Sequence, residues 1–126
     1  MLRRFFVGSL AALILLFFVC FGNSFHLEKI TLELEEQAWE CFREAGQGEE
    51  TKARAEKLVS LWKQKQGYLE MTLPHAEVEA AAMTIMEFAG ALEAQDENES
   101  VRAYALLCEK LAHLGNVDSF SIRNIL

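Results

Sequence analysis

Eighteen consecutive residues without a charge, Phe5 to Gly22, open this chain, with Arg3 and Arg4 directly before them. Coiled as a helix at about 1.5 Å per residue, the run is roughly 27 Å long, close to the hydrocarbon thickness of a bilayer. A soluble helix of this length keeps a polar face, and this one has none. The run therefore reads as a transmembrane signal anchor, with residues 1–24 as basic start and span. A cleaved secretory signal is the competing reading, with Gly22 and Ser24 at the minus-three and minus-one positions. Its apolar core normally spans about 7–15 residues, shorter than this run, and the Phe- and Leu-rich end lacks an Ala-x-Ala site. Cys20 follows Phe17-Phe18-Val19, without the small residue expected before a lipidated cysteine.

The flanking charges set an expected orientation. Arg3 and Arg4 stay cytoplasmic under the positive-inside bias, which sends residues 25–126 to the outer face of a cell membrane. The chain carries −7, and those two arginines are the only charges before Glu28, so removing their +2 leaves −9 for the outer part. Such a surface repels phosphate backbones, which argues against a nucleic-acid partner. About one hundred residues suffice for one small domain with a single core. One proline and seven glycines favour helices over a many-turned β structure.

Apolar residues recur at three- and four-residue steps through four segments. Leu27, Ile30, Leu34, Ala38, Cys41, Phe42 and Ala45 mark the first, which can run on from the anchor unless Gly22-Asn23-Ser24 bends it. Gly46 suits the left-handed residue that ends a helix. Ala55, Leu58, Leu61, Trp62, Tyr68 and Leu69 mark the second, which opens on Glu49-Glu50, is weakened by Gly67 and ends at Leu73-Pro74. Pro74 fits the first position of the third, where Val78, Ala81, Ala82, Ile85, Phe88, Ala89 and Leu92 face inward. Asp96-Glu97-Asn98-Glu99-Ser100 is a polar connection in which Asp96 caps the fourth. There Val101, Tyr104, Ala105, Cys108, Leu111 and Ala112 are expected inside, and Gly115 is expected to stop the helix. The tail, with Phe120, Ile122, Ile125 and Leu126, is expected to dock on the bundle, with one helical turn capped by Asp118 or Ser119. Short connections make consecutive helices antiparallel. The expected fold is all-α: an N-terminal transmembrane helix, then an antiparallel bundle of about four helices. Arg54-Ala55 and Leu58-Val59 return forty-eight positions later as Arg102-Ala103 and Leu106-Leu107, a faint echo of two similar hairpins.

Reactive constellations are missing from the sequence. His26, His75 and His113 are far apart, and the His26–Glu28 and His75–Glu77 pairs are two residues apart, a spacing that does not share a helix face. There is no His-Glu-x-x-His, no phosphate loop and no Gly-x-Ser-x-Gly. No catalytic residue, metal ligand or cofactor site is assigned, and the chain is expected not to be an enzyme. Cys41 and Cys108 are a possible disulfide in an oxidising compartment, or two buried thiols. Trp39, at the edge of its stripe, and His75, beside Pro74, are candidate partner-facing residues. A non-enzymatic module that binds a protein partner is the leading expectation. A small-molecule or cation sensor is the alternative, as is a secreted helical protein if the N-terminus is cleaved.

The layout has a family likeness. A basic start and apolar anchor precede acidic helices. Trp62-Lys63 lies mid-chain, Leu73-Pro74-His75-Ala76-Glu77 follows, and the chain closes on Ser121-Ile122-Arg123-Asn124-Ile125-Leu126. This resembles the domain of unknown function 4363 family, small proteins of Gram-positive anaerobes and their relatives, across nearly the whole chain. The resemblance implies architecture and carries no activity with it. On structural grounds Asn124 would pin the tail by hydrogen bonding, with Ile125 and Leu126 beneath it.

Overall fold

A computed structural model describes the backbone of residues 2–46 and 48–125, and side chains through Gly115. Four helices follow in order: α1 (Leu2–Arg43), α2 (Glu49–Thr72), α3 (His75–Glu93) and α4 (Glu97–Ile125). Gly22-Asn23-Ser24 does not bend α1, which runs unbroken through its 42 residues. Its first half carries no buried residue, and it is the one helix among the described residues long and apolar enough to cross a membrane. Such a segment is a membrane anchor or a signal sequence. Its second half, from Leu27, is one wall of the bundle.

The helices close a ring in which α1 packs on α2 and α4, and α3 packs on α2 and α4. The core repeats at heptad steps on every helix: Leu27, Leu34 and Cys41 on α1; Ala55, Trp62 and Leu69 on α2; Val78, Ile85 and Leu92 on α3; and Leu107 with Leu114 on α4. This is the spacing that keeps one stripe of a helix facing its neighbours in a bundle. Trp62 is the largest fully buried side chain, and its indole N–H has no acceptor.

The turns are tight. α1 and α2 are joined through Gly46 and Gly48, both at positive φ, 98° and 65°. Arg54 fastens this corner by reaching the Glu44 carboxylate at 2.8 Å and the Glu50 carboxylate at 3.5 Å. Only Leu73 and Pro74 separate α2 from α3. Pro74 is the cap of α3 and not its first residue, with its carbonyl accepting from the Glu77 and Val78 amides. α3 ends in a Schellman arrangement: the Gln95 amide donates to Leu92 O and the Asp96 amide to Ala91 O. Gln95 therefore sits at φ 57°, where glycine is usual. Asp96 does cap α4, its carboxylate accepting from the Glu99 amide at 3.1 Å. The polar stretch after it is α4's own first turn, and Ser100 is buried there, donating to Asp96 O at 2.7 Å.

Two expectations for α4 are corrected. Val101, Ala105 and Ala112 face solvent, and the buried stripe is Ala103, Leu107, Leu111 and Leu114. Gly115 does not stop the helix, which continues to Ile125, so no separate turn starts at Asp118 or Ser119. At Gly115 the missing side chain matters for packing: a Cβ there would stand 3.4 Å from the Thr31 hydroxyl of α1. The docking of Phe120, Ile122 and Ile125 and the pinning by Asn124 lie outside the described side chains, and Leu126 outside the described residues.

Candidate functional site

Two ends of the bundle differ in chemistry. The end away from the apolar span carries an aromatic group built from three helices. Trp39 and Phe42 come one turn apart on α1, Tyr104 from α4 and Phe88 from α3. Phe42 and Tyr104 stack at 4.4 Å between centroids, nearly parallel. Phe88 meets Tyr104 at 5.6 Å from the core side, and Trp39 meets both Phe42 and Tyr104 at 6.3 Å. The stack grades from buried Phe88 to Trp39, which remains 48% exposed. Val101 is also exposed, and a cavity of about 400 Å³ opens between the α1–α2 and α3–α4 turns, lined in part by Phe42, Leu92 and Val101.

The environment of Tyr104 shifts its chemistry. Burial, then a hydrogen bond with Cys108, then the Cys108 and Glu35 charges push its phenol up to about 12. Cys108 is thus engaged within α4. Cys41 lies at the α1–α2 seam, its thiol donating to the Arg54 carbonyl at 3.3 Å. Burial raises the Cys41 thiol above its ordinary value, against smaller lowering contributions led by a Gln37 hydrogen bond and the Arg54 charge. Both cysteines are free thiols in this structure.

The opposite end adjoins the apolar span. The Tyr68 hydroxyl donates to Asn23 Oδ1, and the same ring meets His26 edge-on at 4.6 Å. His75 opens α3 with an exposed imidazole 3.8 Å from Glu79, and His113 of α4 lies 3.2 Å from Glu77. All three histidines therefore gather at this end, each against a different partner. Among the described residues no three His, Cys, Asp or Glu side chains meet in a way that could hold a metal ion. The two candidate partner-facing residues lie apart: Trp39 is at the far end with the aromatic group, and His75 is at the end that adjoins the apolar run. The Phe42 contact of Trp39 is local to α1, but its Tyr104 contact comes from α4, and nothing in the local pattern of α1 signals it.

Residues 23–125 match the family described as Domain of unknown function (DUF4363). The chain belongs to this family. The DUF4363 match begins at Asn23, so it covers the whole bundle and leaves the apolar run outside. No curated protein and no solved structure matches the chain. The geometry of this DUF4363 bundle must carry the functional reading by itself.

Proposed function

We propose that this protein is a membrane-anchored, non-enzymatic module that engages a protein partner through its aromatic face, on the outer side of the membrane. The aromatic face is the observation that carries the reading. A tryptophan packed beside a stacked Phe42–Tyr104 pair, yet half exposed, is the composition of an interface anchor. Trp39 lies sixteen residues along α1 from Asn23, so the face is held about 24 Å from the end of the apolar run. Retention of the anchor is supported by the Tyr68–Asn23 hydrogen bond, because cleavage after Ser24 would remove Asn23 from the bundle. Arg3 and Arg4 support a cytoplasmic N-terminus.

A photo-crosslinking residue placed at Trp39 in native membranes tests the interface. A discrete adduct from position 39, absent from position 63 on the polar side of α2, is expected. Equal background at both positions overturns the partner reading. Protease treatment of sealed cells tests the side, with digestion of the bundle expected. A second reading, a small-molecule or cation sensor, draws on the cavity beside Phe42 and Val101. Thermal shift against metals and metabolites separates the two, since a ligand raises stability by mass action.

A further inference from the structure

The bundle and the apolar span share one unbroken helix, so the position of any residue relative to the membrane follows from its level on α1. The contacts Cys41–Arg54, Glu33–Lys65 and His26–Tyr68 set that level for α2. α2 runs antiparallel to α1, and Met71 lies three residues past Tyr68, about 4.5 Å closer to the anchor's own N-terminus. In that register Met71 lies level with Phe25, just past the end of the Phe5–Gly22 run, with the connection Leu73-Pro74 beside it. A soluble turn at such a level would be polar. This one reads Met71-Thr72-Leu73-Pro74-His75, and among the described residues Met71 is one of the most exposed large apolar side chains of the bundle, at 87%. Phe25 is a second large exposed apolar side chain at this end. The acids near the turn are engaged: Glu70 accepts from Gln66 at 2.9 Å, and Glu77 and Glu79 face His113 and His75. The backbone of α4 runs in the same direction, ten residues past Gly115, which packs against Thr31.

We propose that the α2–α3 turn, Met71 to His75, is a second membrane contact that rests in the lipid interface beside the anchor, with Met71 entering the boundary between headgroups and acyl chains. This rests on retention of the anchor. An apolar side chain at this depth gains its transfer free energy from lipid, and a turn at headgroup level keeps its backbone groups hydrated. Two contacts on different helices stand the bundle upright and stop it from swivelling about the anchor, so Trp39 is presented away from the membrane at a fixed height.

The test uses the full chain in vesicles of phosphatidylcholine and phosphatidylglycerol, with and without brominated acyl chains. Met71→Trp and, as a control, Met83→Trp are made in a Trp39→Phe background. Met83 is 60% exposed on α3, well above the turn, and the remaining Trp62 is fully buried. The tryptophan introduced at position 71 is expected to emit to the blue of the one at position 83. It should lose most of its emission to brominated lipid and resist iodide. Quenching by iodide and not by lipid, in protein that stays with the membrane through alkaline carbonate, overturns the second contact and leaves the anchor standing. Resistance to both quenchers means that protein covers the turn, a second copy included, and also overturns it. Release of the protein by carbonate overturns the anchor and this contact together.

Discussion

Tyr68 and Asn23, 45 residues apart in sequence, are joined by a hydrogen bond that ties the C-terminal end of α2 to the residue following the Phe5–Gly22 run. It makes the start of the bundle a fixed joint between two helices, with His26 closing against the other side of the tyrosine ring. Replacing Tyr68 with Phe keeps the ring contact and removes the bond, at a cost of about 0.5–1.5 kcal/mol. Amide exchange over residues 22–28 should speed up while the far end of the bundle is unchanged. Asn23→Ala should reproduce the effect, and the double variant should add little more, because both remove one interaction.

Gln95 holds a left-handed conformation that the Schellman turn requires and a side chain disfavours. That geometry costs an L-residue about 1–2 kcal/mol, partly offset because glycine loses more freedom on folding. Gln95→Gly should therefore stabilise the protein by about 1 kcal/mol, raising the thermal midpoint by roughly 4–8 °C for a domain of this size. Thermal unfolding followed by circular dichroism checks it. Gln95→Val should act in the opposite direction.

Trp62 fills the centre of the bundle with an indole N–H that meets no acceptor. Truncation to Ala removes the largest side chain of the core and should cost about 3–5 kcal/mol. Phe is a more informative replacement. It leaves a smaller void and abolishes a buried unpaired donor whose burial costs about 1–3 kcal/mol. The Phe variant should accordingly lie much nearer the parent than the Ala variant in denaturant unfolding. Equal losses for both would show that the N–H is satisfied in solution.

The heptad stripes of α1, α2 and α3 are legible because charged residues mark the outward faces, as Glu28, Lys29 and Glu33 do between Leu27, Ile30 and Leu34. The buried face of α4 is rotated from the one its period predicts. The helix carries apolar residues on two sides, since Tyr104 and Cys108 line the flank against α1 while Ala103 and Leu107 enter the core. Period alone cannot rank two apolar faces of one helix. Gly115 reads as a terminator in the sequence because a glycine just past an apolar stripe ends many helices. Its role is the close approach to Thr31, a contact set by the pairing of α1 with α4. The aromatic face was half legible. Trp39 stands visibly off its stripe, but its stack with Tyr104 depends on the same long-range pairing. The level of Met71 against α1 likewise depends on the pairing of α2 with α1.

The raised phenol of Tyr104 gives the fold an alkaline weakness. Folded, the group ionises at about 12, and its ordinary value is 10.0. The folded state thus holds the proton more tightly than the unfolded one. The stabilisation is complete below pH 10 and is lost as pH rises through the interval to about 12. Spectroscopic titration of tyrosinate should show this residue ionising late, close to the loss of helical signal. Tyr104→Phe should remove its part of that pH dependence.

Cys41 and Cys108 should differ in reactivity, although both are free. A thiol reacts as its thiolate, and burial holds Cys41 protonated above its ordinary value while its hydrogen points at the Arg54 carbonyl. Cys108 is only half-buried, beside Tyr104 on the flank of α4. Maleimide added to the folded protein at neutral pH should modify Cys108 before Cys41, which it should reach only on unfolding. Arg54→Ala removes the cation that favours the Cys41 thiolate and loosens the corner tied to Glu44 and Glu50. If Cys41 labelling is governed by opening of that corner, this variant should label faster despite the lost charge. If thiolate population governs it, labelling should slow, and the direction of the change separates exposure from ionisation.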